Sequence, residues 1–399
     1  MSQGNDLTVE NLLRTVRNIS VDDDDDDDDD DGFLVENNTI EEDDDEEEDD
    51  DNMVVKLGLV KKLEHDRSLL PYPVISIAGG FPGWLDPINL PSGSSTTCGI
   101  CGDPLQFLLQ LYAPVWEKKS AYHRTLYIFM CLSMKCLLQD QHEQRKHPLD
   151  NPSRSVKAFR CQLPRSNPFY AYEPSEHGRK VKAALCSWCR TWKGCSVCGN
   201  CKSARYCSKK HQAAHWRIGH NLECRNMAVD RQHINSGFAA SNTIWPPFEI
   251  FIESEPKGDT ISENGGYDTA LESAGHVDEG FSSLLDSFEA DADQKSWATF
   301  QERVSRVPEQ VLRHCRDAIA RPVWPMSSVR PSKTDIPKCC YCGGPRCFEL
   351  QILPQLLYYF GVQNDVDSLD WSTIVIYTCE ASCDGSVAYK EEFAWVQLP

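Results

Sequence analysis

Eight potential metal ligands lie close together in the middle of this chain, paired at short and regular spacings. The pairs are Cys186-x2-Cys189, Cys198-x2-Cys201, Cys207-x3-His211 and His220-x3-Cys224. Zn²⁺ binds four nitrogen or sulfur donors at tetrahedral corners, and two donors that lie two to four residues apart reach two corners from one turn. A disulfide framework is the alternative, but secreted disulfide domains do not usually pair their cysteines in this way. The spacing therefore predicts two zinc ions.

The residues between these ligands resemble those of a MYND finger. The resemblance rests on the run from Arg205 to Gln212, on Trp216 and on Gly219-His220. It implies a cross-braced arrangement, in which the first and third pairs hold one ion and the second and fourth pairs hold the other. The implied first set is Cys186, Cys189, Cys207 and His211, and the implied second set is Cys198, Cys201, His220 and Cys224.

Cys195 competes for a place in the second set, because it lies three residues before Cys198 and could begin that pair instead. Such a shift would strand Cys201, and the Cys201-x5-Cys207 step fits the family. We therefore keep Cys198 and Cys201 as the pair. A module this small cannot bury enough apolar area to fold alone, so we expect the metal to hold it together.

Three residues near the last ligands carry further interpretations. His215 follows His211 by four residues on the same helical face, but the family has no ligand there, so we interpret it as a surface residue. Trp216 and Gln212 could line a peptide groove. Alternatively, Trp216 could fill the small core of the finger.

The acidity of the chain is local. The formal net charge is −21, and ten consecutive aspartates at 22–31 and eleven consecutive acidic residues at 41–51 account for all of it. Runs of like charge repel themselves and have nothing to bury, so we predict a disordered acidic tail over residues 1–52. The tail is either a solubilising segment or a polyanion that competes with nucleic acid for a basic partner.

The cysteine content and the apolar pattern indicate the compartment. The chain has 19 cysteines, and its longest clean apolar stretch runs only from Leu126 to Leu132. A membrane span needs about 20 apolar residues, and no secretory signal pattern is recognisable at the N-terminus. Paired cysteines without such a signal favour a reducing environment, so we expect a cytoplasmic and nuclear protein that does not enter membranes.

The two ends of the chain follow one plan, which predicts a mainly β fold with some α. In residues 54–165 and again in 296–399, a C-x2-C knuckle precedes a glutamine-containing strand, and a second apolar strand delivers another cysteine pair. Two halves with one plan suggest pseudo-symmetric sheets that cannot bury their faces separately. We therefore predict one β-rich domain made of two halves, with the finger at 186–224 inserted between them.

Each half also carries four cysteines that could hold a further zinc ion. The N-terminal set is Cys98, Cys101, Cys131 and Cys136, and the C-terminal set is Cys339, Cys342, Cys379 and Cys383. Because the two pairs of each set are 30 or more residues apart, buried or free thiols remain the alternative. The cysteines left unassigned are predicted to be reduced thiols: Cys161, Cys195, Cys315, Cys340 and Cys347.

The segment between the finger and the C-terminal half has mixed character. Residues 226–295 indicate a linker that contains one strand near 248–252, because most of it is rich in Gly, Ser, Asp and Glu without periodicity. From Trp297 to Ala320 the apolar residues recur at helical spacing. This pattern predicts a helix that Pro308 must kink or split.

Taken together, these motifs resemble the programmed cell death protein 2 family over residues 54–399. The motifs that carry the resemblance, in order, are Gly83-Trp84-Leu85-Asp86-Pro87, Cys98-Gly-Ile-Cys101-Gly, His123-Arg124-Thr125-Leu126-Tyr127, the finger, Phe248-Glu249-Ile250, Pro308 to Arg313, Pro354-Gln355-Leu356-Leu357, Asp370-Trp371, Tyr377-Thr378-Cys379 and Glu391 to Trp395. The doubled acidic tract departs from the family pattern, so its role is not implied by the resemblance.

The resemblance implies a dedicated chaperone for a newly made, basic small-subunit ribosomal protein on its way to 40S assembly. Such proteins need a partner because their basic tails bind polyanions indiscriminately. An adaptor or transcriptional cofactor whose finger grips proline-rich peptides is the rival interpretation. A third is nucleic-acid binding through five basic residues of the finger, which we do not expect beside an acidic tail; those residues are Lys202, Arg205, Lys209, Lys210 and Arg217.

We expect neither catalysis nor a small-molecule substrate. The sequence lacks a SET-type signature, a G-x-G-x-x-G turn, a G-x-x-x-x-G-K-[ST] loop and an H-E-x-x-H helix. Each predicted finger set also supplies four protein ligands, which leaves no coordination position for a reacting water.

Overall fold

The computed structural model describes residues 54–62, 74–146, 153–169, 183–227, 245–256, 292–363, 365 and 368–399. The predicted acidic tail and most of the predicted linker lie outside these ranges. No helix among the described residues combines the length and the apolar character that a membrane crossing requires.

Ten of the twelve strands in the described residues form one closed antiparallel barrel. Around the barrel the order is β1, β8, β2, β3, β4, β5, β12, β11, β10 and β9, which returns to β1. The remaining two, β6 and β7, form a small ribbon in the finger. The strand bounds are β1 Lys56–Lys62, β2 Ile77–Ala78, β3 Gln106–Tyr112, β4 His123–Met130, β5 Val156–Leu163, β6 Ser196–Val197, β7 Arg205–Tyr206, β8 Phe248–Ser254, β9 Leu312–His314, β10 Arg346–Ile352, β11 Thr373–Cys379 and β12 Tyr389–Gln397.

Short helices connect or cap these strands. Their bounds are α1 Met134–Lys146, α2 Lys209–His215, α3 Asn221–Met227, α4 Ala292–Ser305 and α5 Gln355–Phe360. A π-helical turn at Trp216–His220 joins α2 to α3. The prediction of a mainly β fold with some α and an inserted finger is therefore confirmed.

Each half of the chain forms its own part of the barrel wall, and β8 is inserted into the N-terminal part. Strands β1 to β5 come from the N-terminal half and β9 to β12 from the C-terminal half, so the halves meet at two seams, β5–β12 and β9–β1. The strand predicted near 248–252 is β8, and it lies between β1 and β2. At the β9–β1 seam the Leu312 side chain packs so closely on Gly58 that a Cβ there would lie 2.5 Å from Leu312 Cγ.

The two halves share a β-bulge at equivalent positions. The register of β3 against β4 shifts between Phe107 and Leu109, and the register of β10 against β11 shifts between Phe348 and Leu350. These shifts are β-bulges, which bend the strand and increase its twist. The bulge places Leu108 in one half and the charged Glu349 in the other, and both are fully buried.

The prediction of helix from Trp297 to Ala320 is wrong in its second part. Helix α4 ends at Ser305, and the chain then forms strand β9 from Leu312. The side-chain amide of Gln310 donates to the carbonyl oxygens of Val304 and Val307, at 3.2 and 2.9 Å. The Gln310 amide thereby binds carbonyls that a continuing helix would have used for its own backbone hydrogen bonds. Pro308 has no backbone N–H and could not have donated to them.

The interior of the barrel contains a buried ion pair among apolar side chains. Arg124 of β4 and Glu349 of β10 form a bidentate ion pair, with N–O distances of 2.5 and 2.7 Å. Because β4 and β10 are four strands apart around the wall, this pair crosses the interior. Leu126 and Ile128, two and four residues after Arg124 on the same face of β4, are fully buried.

Candidate metal centres

The structure brings together all four predicted ligand sets. In each set the four donor atoms lie within 4.8 Å of one another. The sets are Cys186, Cys189, Cys207 and His211; Cys198, Cys201, His220 and Cys224; Cys98, Cys101, Cys131 and Cys136; and Cys339, Cys342, Cys379 and Cys383.

The distances between donor atoms fit a tetrahedral zinc site. With Zn–S bonds of about 2.3 Å, the edge of a tetrahedron of four sulfurs is about 3.8 Å. The Sγ atoms of Cys189 and Cys207 are 3.8 Å apart, and so are those of Cys198 and Cys224. The same spacing excludes disulfides, whose sulfurs lie about 2.05 Å apart.

The two barrel knuckles show the same edges as the finger. The Sγ atoms of Cys101 and Cys131 are 3.7 Å apart. In the C-terminal set, the Sγ atoms of Cys339 and Cys383 are also 3.7 Å apart, and those of Cys342 and Cys379 are 3.6 Å apart. The donor chemistry and the spacing of these two sets therefore fit zinc as well as the finger does.

A common backbone turn builds all four C-x2-C knuckles. The residue after the second cysteine has a positive φ, and its N–H donates to the carbonyl of the first cysteine at 2.9 to 3.1 Å in the finger and 2.8 to 3.0 Å in the barrel. These residues and their φ values are Arg190 (53°), Lys202 (59°), Gly102 (74°) and Gly343 (73°). In the barrel, this left-handed position is occupied by glycine, which adopts it at little cost.

The histidine ligands of the finger are oriented by neighbouring groups. His211 is the third residue of α2, and its backbone N–H donates to the Oγ of the N-cap Ser208 at 3.1 Å. His211 directs Nδ1 to its set, whereas His220 directs Nε2 to its set. The other ring nitrogen of His220 faces the carboxylate of Glu223 at 3.9 Å.

One thiol in each set has a lowered pKa, which favours the deprotonated form that zinc binds, whereas burial raises the pKa of set members such as Cys136 and Cys383. A hydrogen bond with the Cys131 thiol lowers the pKa of Cys98 to about 5, although burial opposes ionisation. Burial alone would raise the pKa of Cys198, but hydrogen bonds with His220 and with backbone N–H groups lower it to about 6. In the C-terminal knuckle, burial is likewise outweighed by the N–H groups of Tyr341 and Cys342, and the pKa of Cys339 falls to about 7.

His215 lies outside the four ligand sets, as expected, but it is half-buried rather than exposed. Its ring stacks on that of His220 with 4.8 Å between centroids, and its Nδ1 lies 3.0 Å from the hydroxyl of the buried Tyr206. His215 thus supports the ring of a candidate ligand. Sequence spacing could not show this, because the support depends on Tyr206 lying across the finger.

Trp216 does not fill the core of the finger. Its side chain is 43% exposed, whereas Trp192 and Tyr206 are almost fully buried. Ile218 and Leu222 are exposed beside it in sequence. Gln212 is half-buried, so the groove interpretation of Trp216 and Gln212 stays a prediction.

The finger is packed against the barrel. Trp192 donates its indole N–H to the carbonyl of Leu105 at 2.8 Å, and its ring lies 4.2 Å from that of Phe129 on β4. In return, Trp84 donates to the carbonyl of Thr191 at 2.8 Å. The finger is therefore part of the same packed core as the barrel wall.

The cysteines outside the four sets differ in exposure. Cys195 is exposed and takes no part in the second finger set, so the alternative pairing is not the one the structure forms. Cys161 and Cys315 are buried, Cys340 is exposed and Cys347 is half-buried. The five basic residues considered for nucleic-acid binding are exposed, and one of them, Lys210, pairs with Asp103 of the barrel.

Comparison with known proteins places three family models on the chain. The N-terminal domain of programmed cell death protein 2 matches residues 54–177, its C-terminal putative domain matches 294–398, and the MYND finger matches 186–224. A MYND finger indicates zinc binding. No solved structure matches the chain.

Full-length relatives support the same assignment. Programmed cell death protein 2 of Rattus norvegicus is 34% identical over 86% of this chain and 96% of its own length. The protein of that name in Bos taurus is 35% identical over 81% of this chain and 90% of its own. A Schizosaccharomyces pombe protein named probable 20S rRNA accumulation protein 4 is 23% identical over 80% of this chain and 91% of its own.

Proposed function

The chain belongs to the programmed cell death protein 2 family, and from this premise we propose that it is a non-enzymatic chaperone. Its client would be a newly made, basic ribosomal protein of the small subunit. The observation that carries the proposal is the similarity to a relative named for 20S rRNA accumulation, which points to ribosome assembly. The work of such a chaperone is done partly in the cytoplasm and partly in the nucleus, so we propose both locations.

The candidate metal centres support a structural role for the metal. Each of the four sets supplies four protein donors, which is the composition of a closed structural zinc site. Catalytic zinc sites keep one position for water or substrate. We therefore propose four zinc ions, two in the finger and two in the barrel knuckles, all of them structural.

The acidic tracts at 22–31 and 41–51 suit a basic client. They contribute the whole excess of 21 negative charges. Such runs attract Lys and Arg side chains through long-range interactions that salt screens within about 10 Å at 0.1 M. Binding of this kind is exchangeable, so a client could pass from the tail to ribosomal RNA.

Affinity capture of the full chain, followed by mass spectrometry, tests the proposal. A chaperone should retain one small-subunit ribosomal protein at near-stoichiometric yield, and nuclease treatment should not release it. Recovery of ribosomal proteins from both subunits in equal amounts, or their loss on nuclease treatment, would refute the proposal. Metal analysis of the same preparation tests the zinc count: four ions per chain are expected, and two would confine the metal to the finger.

A second candidate is an adaptor that binds proline-rich peptides through the finger. The exposed Trp216 favours it, since an aromatic side chain on the surface is what a proline-rich ligand packs against. Here the capture experiment should instead yield several nuclear proteins with proline-rich segments, and Trp216→Ala should abolish their recovery. A Trp216→Ala variant that keeps its ribosomal client would separate the two functions.

A further inference from the structure

The seam between β5 and β12 is short. Paired residues run only from Tyr389–Cys161 to Glu392–Ala158, although β12 continues to Gln397. The rest of the boundary between the halves therefore needs other contacts. On each side, some of these contacts come from a segment that adjoins a cysteine knuckle.

The N-terminal knuckle is connected to the far end of β12. Helix α1 starts between the knuckle residues Cys131 and Cys136. The side-chain amide of its Gln144 makes the two hydrogen bonds that a neighbouring strand would make: it donates to Val396 O at 2.5 Å and accepts from Val396 N at 3.2 Å. Gln141 of the same helix accepts from Leu398 N at 2.6 Å.

Arg154 adds a second link from the same knuckle. Its guanidinium donates to Ala394 O of β12 at 2.6 Å, and its own carbonyl accepts from the knuckle's Gly99 N–H at 3.0 Å. The backbone N–H of Cys131 donates to Ser155 O at 2.8 Å. The knuckle therefore fixes the helix and the loop that together hold the end of the opposite strand.

The C-terminal knuckle makes the converse connection to the N-terminal half. Arg160 of β5 donates to Cys383 O at 3.2 Å and lies 3.6 Å from Cys383 Sγ. The carbonyl of Ser382 accepts from Gln162 of β5 at 2.9 Å and from Lys118 at 2.8 Å. Both side chains come from the N-terminal half, and both bind the loop between the last two knuckle cysteines.

A buried ion pair lies directly behind this loop. Arg160 and Glu392 are fully buried, with Nε and Oε1 2.6 Å apart, and Glu392 also accepts from Cys379 N at 3.2 Å. Moving the loop would remove hydrogen bonds from both charges inside the protein. Buried charges without partners are strongly destabilising, so loop order and seam order are coupled.

We propose that the two barrel knuckles are reciprocal metal staples. The ion in each half orders the segment that holds a strand of the other half at the β5–β12 seam. The inference rests on the proposed zinc count and adds a role for the two barrel ions, which is to hold the two halves together at this seam. Each ion stabilises a boundary between halves, because metal binding contributes directly to the free energy of folding of the segments it orders.

Hydrogen–deuterium exchange on full-length variants tests the staples. In Cys383→Ser, one zinc should be lost, and the β5 amides at 158–161 that face β12 should exchange about tenfold faster or more. In Cys136→Ser, one zinc should be lost, and the accelerated amides should instead be those of Val396 and Leu398. Each variant should leave the other region close to wild type.

Two further variants control the experiment. Cys340→Ser alters an exposed cysteine beside a knuckle ligand and should change neither metal content nor exchange. Cys383→His supplies a replacement ligand and should restore the zinc and the protection of β5. If the serine variants do not fold, graded chelation of the wild-type chain, followed on the same peptides, replaces them.

The outcomes separate this inference from the function proposed above. One outcome would overturn the staples and leave the zinc count intact: wild type binds four zinc ions, but the faster exchange in each variant is confined to its own knuckle loops. These loops are 339–342 and 379–383 for Cys383→Ser, and 98–101 and 131–136 for Cys136→Ser. Two zinc ions in the wild-type chain would overturn both the count and the staples. Client capture depends on neither measurement.

Discussion

The ion pair between Arg124 and Glu349 offers the sharpest test of how the barrel interior is stabilised. Both side chains are fully buried, and Glu349 also accepts from the hydroxyl of Thr378. Glu349→Gln keeps the shape of the side chain but removes its charge. The guanidinium of Arg124 then remains buried with no formal counter-charge at its former partner.

The expected loss of stability is large. Removing one partner of a buried pair costs about 3–5 kcal/mol, because the other charge is left uncompensated. Total stabilities of domains are about 5–15 kcal/mol, so Glu349→Gln should remove a large part of the stability of the barrel. His314 and Arg316, whose ring and guanidinium nitrogens lie 3.5 and 3.8 Å from the Glu349 carboxylate, would lose the same charge and add to the cost.

The internal repeat supplies a matched control. The bulge residue of the other half is Leu108, so the barrel can accommodate leucine at this point of the wall. Replacing both charges, as in Glu349→Leu with Arg124→Met, removes the desolvation cost together with the attraction. Such replacements are often neutral or stabilising, so the double variant should be more stable than Glu349→Gln.

Urea unfolding in saturating zinc, followed by circular dichroism, measures these differences. Saturating metal is needed because zinc release would otherwise make the transition depend on metal concentration. A Glu349→Gln variant within about 1 kcal/mol of wild type would refute the reasoning. A double variant less stable than Glu349→Gln would show that the interior requires the charges themselves.

Three further predictions follow from the structure. Trp192→Ala should undock the finger and cost about 3–5 kcal/mol in the same urea assay, whereas Trp192→Phe should cost less; equal stability of the alanine variant and the wild type would contradict the packing described for Trp192. Replacing residues 22–51 by a glycine–serine segment of equal length should weaken client binding about tenfold at low salt, and the affinities of this variant and of wild type for the client should converge at high salt. Titration calorimetry measures both affinities. An unchanged affinity at low salt would leave the tail as a solubilising segment. Burial alone would raise the pKa of Glu349, but Arg124 and His314 hold that pKa well below its usual range. The ionised Glu349 therefore contributes its full stabilisation above the ordinary glutamate pKa of about 4.3, and this stabilisation is lost as the pH falls through the lowered pKa. Acid unfolding curves should accordingly be less steep for the Arg124→Met, Glu349→Leu double variant than for wild type.

Much of the candidate site follows from spacing. A C-x2-C pair specifies a local turn, so the partners within each finger knuckle could be predicted from the sequence alone. The assignment of pairs to ions came from the family resemblance, and the structure brings the same donors together. For the barrel knuckles, the repeated plan of the two halves was the signal that joined Cys98 and Cys101 to cysteines 30 or more residues away.

Other features depend on contacts that the sequence pattern does not encode. Strand β9 is three residues long, which is too short for any periodicity, and it forms because β1 and β10 bind it from both sides. The charged interior was also missed. Arg124 and Glu349 lie within apolar strands, and nothing local shows that each is the other's partner.

One further sequence signal marks the barrel knuckles. In both barrel knuckles a glycine follows the second cysteine, and the structure shows that Gly102 and Gly343 adopt the left-handed conformation that closes the turn. In the finger, Arg190 and Lys202 adopt the same conformation without that help. Glycine at this position therefore favours a closed knuckle but is not required for one.

The bulge shared by β3 and β10 bears on how such a barrel could arise. Each half alone would end in an exposed strand, β5 on one side or β12 on the other, and open strands of this kind bind further strands. Two copies of one half, joined edge to edge, would pair the open strand of each copy with that of the other. The single chain thus has the architecture of a tethered dimer, and Leu108 and Glu349 are the equivalent bulge residues at which its two halves differ.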